Sequence, residues 1–281
     1  MRSSPRLLIA LGILVFSFVA YYMKRDVNPV TGETQHISLT ADQEVALGLQ
    51  SAPQMAAQFG GPDPDAEAQA RVQRVGEWVV EHSPAKEAPY KFQFTLLRDP
   101  ETVNAFALPG GPVFITRGLY KRLENEAQLA GVLGHETGHV VGRHAAEHIA
   151  KSQLAQGVMG AVVVGASDRY DHAQAAAMIA AFAAQMAQLR YGRSDELEAD
   201  RLGVDYMAKA GYDPRAMERV MEILAASSKG GRQPEFLSSH PNPGNREQQI
   251  EAEIRKLYPN GVPPQLKLKD VSGEPAAAPA R

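Results

Sequence analysis

The chain of 281 residues contains no cysteine. That absence excludes disulfides, thiolate metal sites and a lipid-bearing cysteine behind the leader, and it fits a reducing or an oxidising compartment equally. Any metal bound here must use nitrogen and oxygen ligands. A Lys/Arg-rich block is also missing, and 29 Lys+Arg against 32 Asp+Glu leave a formal charge of −3. There is therefore no electrostatic footprint for nucleic acid, and no nucleic-acid partner is expected. No internal repeat is evident. Inside the chain the apolar run "GVMGAVVVGA" is too short to cross a bilayer. With 44% hydrophobic residues, the composition supports one substantial core with extensions.

The N-terminus is the exception. Leu7 to Met23, "LLIALGILVFSFVAYYM", is uncharged and follows Arg2 and Arg6. As a helix it would span about 26 Å, near the lower limit for a bilayer core. Cleavage after Ala20 would put Phe18 at the −3 position, a poor fit to a signal-peptidase site, so an uncleaved signal anchor is expected over a removed signal peptide. Tyr21 and Tyr22 would then lie at the membrane interface, with Lys24 and Arg25 among the headgroups. The expected organisation is an anchor over 1–25, a catalytic domain over 26–262, and a disordered Pro/Ala-rich tail over 263–281. A signal-like leader directs the domain behind it to the periplasmic face of a bacterial inner membrane. Secretion to the periplasm after cleavage is the alternative.

Four of the eight histidines fall in "GVLGHETGHVVGRHAAEH", Gly131 to His148. His135 and His139, four apart on a helix, project from one face and can clamp one ion, while Glu136 is placed to act as general base toward water at that ion. Upstream, Asn125 with Gln128 predicts a helix start, and Leu129, Val132 and Leu133 supply its apolar stripe. Gly142 sits where the longer metalloprotease pattern needs a glycine, but the third histidine of that pattern would fall on Ala145. If the helix continues, His144 and His148 lie roughly 180° and 220° around from His135. They would then face away from the metal, as polar-face or hydrogen-bonding histidines.

A zinc site with two histidines needs a third protein ligand and an open position for water. "YGRSDELEADRLGVDYMAKAGYDP" predicts a helix closed by Gly211, with Glu196 and Asp200 on one face and Glu198 about 200° away from Glu196. Glu196 would supply the carboxylate ligand. Asp200, one turn on, would accept the N–H of a ligating histidine and fix its tautomer. "KFQFTLLRD" alternates Phe92, Phe94 and Leu96 as a half-buried strand, and "NAFALPGGPVFITRGLY" reads as a hairpin just before the metal helix. That hairpin is either ordinary core or an edge strand that pairs with an extended peptide. Elsewhere, Asp42 is expected to cap a helix into "QEVALGLQ". "DAEAQARVQRVGEWVVEHS" reads as a helix with Trp78 in the core, and the Ala/Gly/Met-rich stretch over 151–190 as a helical hairpin, an active-site cover or a membrane-touching lip.

"NAFALPGG", "HETGH" followed by "GRH", "ELEAD", and "SSHPNPGNRE" occur in that order over most of residues 35–255. Together they resemble metallopeptidase family forty-eight, gluzincins that include CAAX prenyl proteases, HtpX heat-shock proteases and periplasmic β-barrel-assembly-enhancing proteases. Lacking the multi-span body of some branches and a C-terminal helical-repeat domain, the chain is similar to a compact, singly anchored branch. The resemblance implies a mostly helical α+β zincin fold with a small β-sheet whose edge strand, Asn104, Ala105, Phe106 and Ala107, binds substrate. It implies one Zn²⁺ per chain on His135, His139 and Glu196, with Asp200 and Arg246 behind the ligands. It also brings His240 to the rim, either as a transition-state donor or as a switchable fourth ligand. The expected activity is endoproteolysis of unfolded or misassembled envelope proteins, with oligomeric state left open. The competing expectation is a membrane-anchored chaperone-like or binding protein whose structural zinc takes His240 as a permanent ligand.

Overall fold

The computed structural model describes residues 5–154, 190–227, 234–241 and 244–266. The leader forms helix α1 (Pro5–Met23), followed by an antiparallel hairpin of β1 (Arg25–Val27) and β2 (Thr34–His36). Helices α2 (Ala41–Gln58) and α3 (Ala66–Glu81) lead into strands β3 (Gln93–Leu97), β4 (Ala105–Ala107) and β5 (Pro112–Thr116). A single turn, α4 (Arg117–Tyr120), precedes the motif helix α5 (Glu126–Val141), and α6 runs over 144–154. Beyond them lie α7 (Arg193–Lys209), α8 (Ala216–Ser227), the short α9 (Glu235–Ser239) and α10 (Arg246–Leu257). The molecule is a mostly helical α+β fold with small sheets, the class expected for a zincin.

The three-stranded sheet has the order β3-β5-β4, with β3 parallel and β4 antiparallel to β5. Central β5 is buried along its whole length, and β4 is an edge strand, as the hairpin reading allows. Phe92, Phe94 and Leu96 are buried in one core with Val72, Val75 and Val79 of α3. Trp78, expected in that core, is 39% exposed. It sits about 100° around the helix from Val79, stacks on His82, and donates its indole N–H to the Ala210 carbonyl. Helix α2 also starts differently from the expected Asp42 cap. Its cap is Thr40, whose side chain accepts from the Gln43 N–H while Gln43 accepts from the Thr40 N–H. Asp42 lies in the first turn, where a negative charge suits the helix dipole.

Residues 24–40 do more than lead into the domain. Asn28 and Gln35, both buried, reach the C-terminal end of α5. Asn28 Nδ2 donates to the Val141 carbonyl at 2.7 Å, and Gln35 Nε2 donates to that of Gly142. A helix leaves its last carbonyls without internal donors, so the hairpin behind the leader completes the helix that carries the metal motif. Tyr21, expected at a membrane interface, stacks on His36 of this hairpin with ring centroids 4.6 Å apart. Leu8, Leu11, Val15 and Phe16 of α1 are exposed. Among the described residues no helix is long and apolar enough to cross a membrane. The expected hairpin or cover over 151–190 falls largely on 155–189, and most of the expected disordered tail on 267–281, outside the described residues.

Replacing Asn28 by Ala leaves the buried Val141 carbonyl without this donor. The expected cost is about 1–3 kcal/mol in chemical denaturation, and an unchanged midpoint would mean that the hairpin does not brace α5.

Candidate metal centre

Helix α5 is capped by Asn125, whose side chain accepts from the Gln128 N–H as expected. It runs against α7 through small residues. A Cβ on Gly138 would lie 3.0 Å from the Ala199 carbonyl oxygen, and one on Gly203 only 3.1 Å from the backbone nitrogen of His135. This close approach lets Glu196 of α7 reach the histidines of α5. Nε2 of His139 lies 3.1 Å from Nε2 of His135 and 3.4 Å from Oε1 of Glu196. His240, which ends α9, brings Nδ1 to 2.9 Å from Glu196 Oε1 and 3.4 Å from His135 Nε2. One ligand atom from each of His135, His139, Glu196 and His240 lies within 4.8 Å of all the others, and all four residues are buried.

The protonation states suit metal binding. Burial pushes the His139 imidazole well below its ordinary value, so it is neutral and can ligate. Burial alone would raise Glu196, but the neighbouring His240 charge and the hydrogen bonds of His139 and His240 outweigh it and hold the carboxyl well below its usual range. Glu136, fully buried on the same helix, is raised by burial. Neither of its carboxylate oxygens has a hydrogen-bond partner among the described residues, and Oε1 lies 3.6 Å from His240 Nε2.

Behind the ligands lies a second set of contacts. Asp200 Oδ1 is 2.9 Å from His135 Nδ1, the pairing expected from the sequence. Arg246, fully buried, donates from Nε to Asp200 Oδ2 at 2.6 Å and from Nη2 to Oδ1 at 2.7 Å. Its Nη1 lies 3.0 Å from Glu196 Oε2. Glu136, Glu196 and Asp200 therefore bury three carboxylates against the one guanidinium of Arg246. A divalent cation would offset carboxylate charge that Arg246 does not. Three imidazoles, one carboxylate and orphaned buried oxygens make a donor set that fits such an ion.

His144 departs from the helical phase expected of it. Helix α5 stops at Val141, Gly142 caps it, and Arg143 adopts φ 54°, in the left-handed region that non-glycine residues seldom enter. The chain turns and α6 begins, so the His144 ring swings back beneath His139. Nδ1 of each ring is 2.8 Å from the other. Nε2 of His144 lies 3.3 Å from Glu198, and His148 Nε2 lies 3.0 Å from Asp195. Glu198 is outside the ligand cluster, as its phase predicted. Arg143 is held in its turn by buried Glu44 of α2, to which its Nε donates at 2.9 Å, and by the Leu39 carbonyl.

Tyr191 escaped sequence reasoning. Its ring stacks on His139 at 3.9 Å between centroids, and the only sequence signal is an aromatic just ahead of the "ELEAD" helix. Tyr191 and His139 line one pocket with Ala107 and Leu108, which brings the end of β4 beside the cluster. Ala105 and Ala107 are buried, and Phe106 turns to stack on Phe114. Asn104 Nδ2 donates to Glu235 of α9 at 3.4 Å.

Residues 66–254 match the model of Peptidase family M48. The chain is 32% identical to a β-barrel assembly-enhancing protease of Yersinia pestis over 232 residues, covering 79% of this chain and 46% of that protein. It is 31% identical over 182 residues to the protein of the same name from Escherichia coli strain K12, covering 62% of this chain and 36% of the relative. To the mitochondrial metalloendopeptidase OMA1 of Schizosaccharomyces pombe it is 36% identical over 162 residues, covering 57% of this chain and 46% of the relative. The matched region thus spans less than half the length of each of these relatives. It holds the ligand cluster, its supporting residues and the edge strand, and the chain belongs to peptidase family M48.

Proposed function

We propose that the chain is a zinc-dependent endopeptidase that cleaves unfolded or misassembled proteins of the cell envelope. The observation that carries this reading is the Glu136 carboxylate, buried beside a four-donor cluster with neither oxygen hydrogen-bonded among the described residues. A purely structural metal site has no use for a base there. His135, His139 and Glu196 would hold Zn²⁺, which when bound polarises a peptide carbonyl and acidifies water. Glu136 takes the proton of the attacking water and passes it to the departing amine. The raised affinity of its carboxyl for a proton suits both steps. Asp200, backed by Arg246, keeps His135 in the ligating tautomer. An extended substrate segment pairs with the edge of β4, so that Asn104 to Ala107 set its register beside the cluster.

His240 serves as a switchable fourth ligand. Its Nδ1 sits as close to Glu196 and His135 as those two sit to the rest of the cluster, which favours ligation over a donor role at a distance. As a ligand it would take the position of the water and restrain the enzyme, and its withdrawal would free that position. The envelope setting rests on the apolar leader and on the bacterial relatives named for β-barrel assembly. Through that leader the protein is anchored in a single pass to the bacterial inner membrane, with its catalytic domain in the periplasm.

The Glu136→Gln protein should keep near-stoichiometric zinc and lose at least about a hundredfold in casein cleavage, whereas His139→Ala and Glu196→Ala lose the metal too. Undiminished turnover of the Gln variant contradicts the mechanism. At equal zinc occupancy, His240→Ala should cleave faster than wild type; a drop of roughly a hundredfold would make it an oxyanion donor instead. The full-length protein should stay with membranes after alkaline carbonate washing, and recovery of a soluble species beginning near Tyr21 would replace the anchor with a cleaved signal.

A further inference from the structure

His139 has a neighbour that the proposed mechanism leaves idle. An imidazole gives a metal one nitrogen, and the Nε2 of His139 is the one facing His135 and Glu196. The proton of the neutral ring then sits on Nδ1. That atom lies 2.8 Å from Nδ1 of His144. For His144 to accept there, its own proton must be on Nε2, which lies 3.3 Å from Oε2 of Glu198. One arrangement of protons satisfies both contacts: His139 donates to His144, and His144 donates to Glu198.

We propose that His144 and Glu198 form a positioning pair that fixes the tautomer and ring orientation of His139, an inference that rests on the zinc reading above. The two histidines of the motif are then supported unequally. His135 is held directly by Asp200, a buried carboxylate clamped by Arg246. His139 is held by an imidazole, whose own anchor, the Glu198 side chain, is 18% exposed. Metal-ligating histidines are commonly steadied through the nitrogen that does not bind, and loss of such a partner lowers metal affinity by roughly 10–100-fold.

The backbone is shaped to deliver His144 to this place. A Cβ on residue 142 would lie 2.5 Å from His144 Nε2 and 2.7 Å from its Cε1, so a glycine there leaves room for the ring. The left-handed turn at Arg143 is a strained conformation for a residue with a Cβ and is held by Glu44 from a distant helix. Simple packing would require neither a nitrogen facing His139 nor a carboxylate facing the opposite edge of the ring.

The test uses the zinc-loaded full chain. Asparagine presents Oδ1 where histidine presents Nδ1, so His144→Asn keeps the acceptor and His144→Leu removes it. In competition with a chromophoric chelator, the Leu variant should bind zinc roughly 10–100-fold more weakly and the Asn variant should recover to within about threefold of wild type. Glu198→Ala, which leaves His139 its acceptor, should cost less than His144→Leu. Nitrogen-15 imidazole spectra of the wild-type zinc protein should place the His139 proton on Nδ1 and the His144 proton on Nε2, a readout that needs no variant to fold. Equal zinc affinity in the Leu variant and wild type, equal weakening by Leu and Asn, or a His144 protonated on Nδ1 overturns the pairing while leaving the zinc reading intact. A wild-type chain that takes up no zinc overturns both.

Discussion

A fully buried guanidinium must be paired, and the pairing of Arg246 organises the site. Removing one partner of a buried ion pair costs about 3–5 kcal/mol because the other charge is left uncompensated. Arg246 meets Asp200 with two parallel hydrogen bonds and lies against Glu196, so the first residue of α10 ties down these two carboxylates of α7. Asp200 in turn faces His135 on α5. Three helices are thereby joined through one polar network, and the ligands inherit their orientation from it. The small residues Gly138, Ala199 and Gly203 serve the same end from the apolar side, bringing the backbones of α5 and α7 close enough for the carboxylate to reach the imidazoles.

The far end of α5 is secured from the N-terminal side. Asn28 and Gln35 of the segment behind the leader bind its last carbonyls, and Glu44 of α2 holds Arg143 in the turn that follows. Segments distant in sequence thus fix the point where the motif helix stops. That point decides where His144 goes, and through it how His139 is held. The edge strand β4 ends at the same place, beside His139 and Tyr191, so a peptide paired along it would be carried to the cluster. Burial completes the design by keeping His139 neutral and raising Glu136, while Glu196 stays ionised through its charged neighbours.

Much of this was legible in the sequence because it depends on local periodicity. The four-residue spacing of His135 and His139, the Asn125 cap, the shared face of Glu196 and Asp200, and the alternation of Phe92, Phe94 and Leu96 all appear where helical or strand geometry puts them. What was not legible depends on a break in the period or on a distant partner. The phase that sent His144 away from the metal is valid only while the helix continues, and nothing local states that Arg143 will turn left-handed; the Glu44 that holds it lies on another helix. Tyr191 on His139 is a tertiary stacking contact. Trp78 carries the right spacing for the core, yet it lies on the flank of α3, where its N–H finds the Ala210 carbonyl. Thr40 took the cap of α2 from Asp42 through its reciprocal bond with Gln43.

The central claim is that one metal ion occupies the cluster shared by α5, α7 and the His240 loop, and it is tested most directly by anomalous diffraction at the zinc edge from crystals of the zinc-loaded protein. The account predicts a single strong peak about 2.0–2.1 Å from a ring nitrogen of His135 and of His139, and about 2.0–2.2 Å from a carboxylate oxygen of Glu196. A peak bound elsewhere, at the His148 and Asp195 pair for instance, with the two motif histidines left unligated, would contradict it.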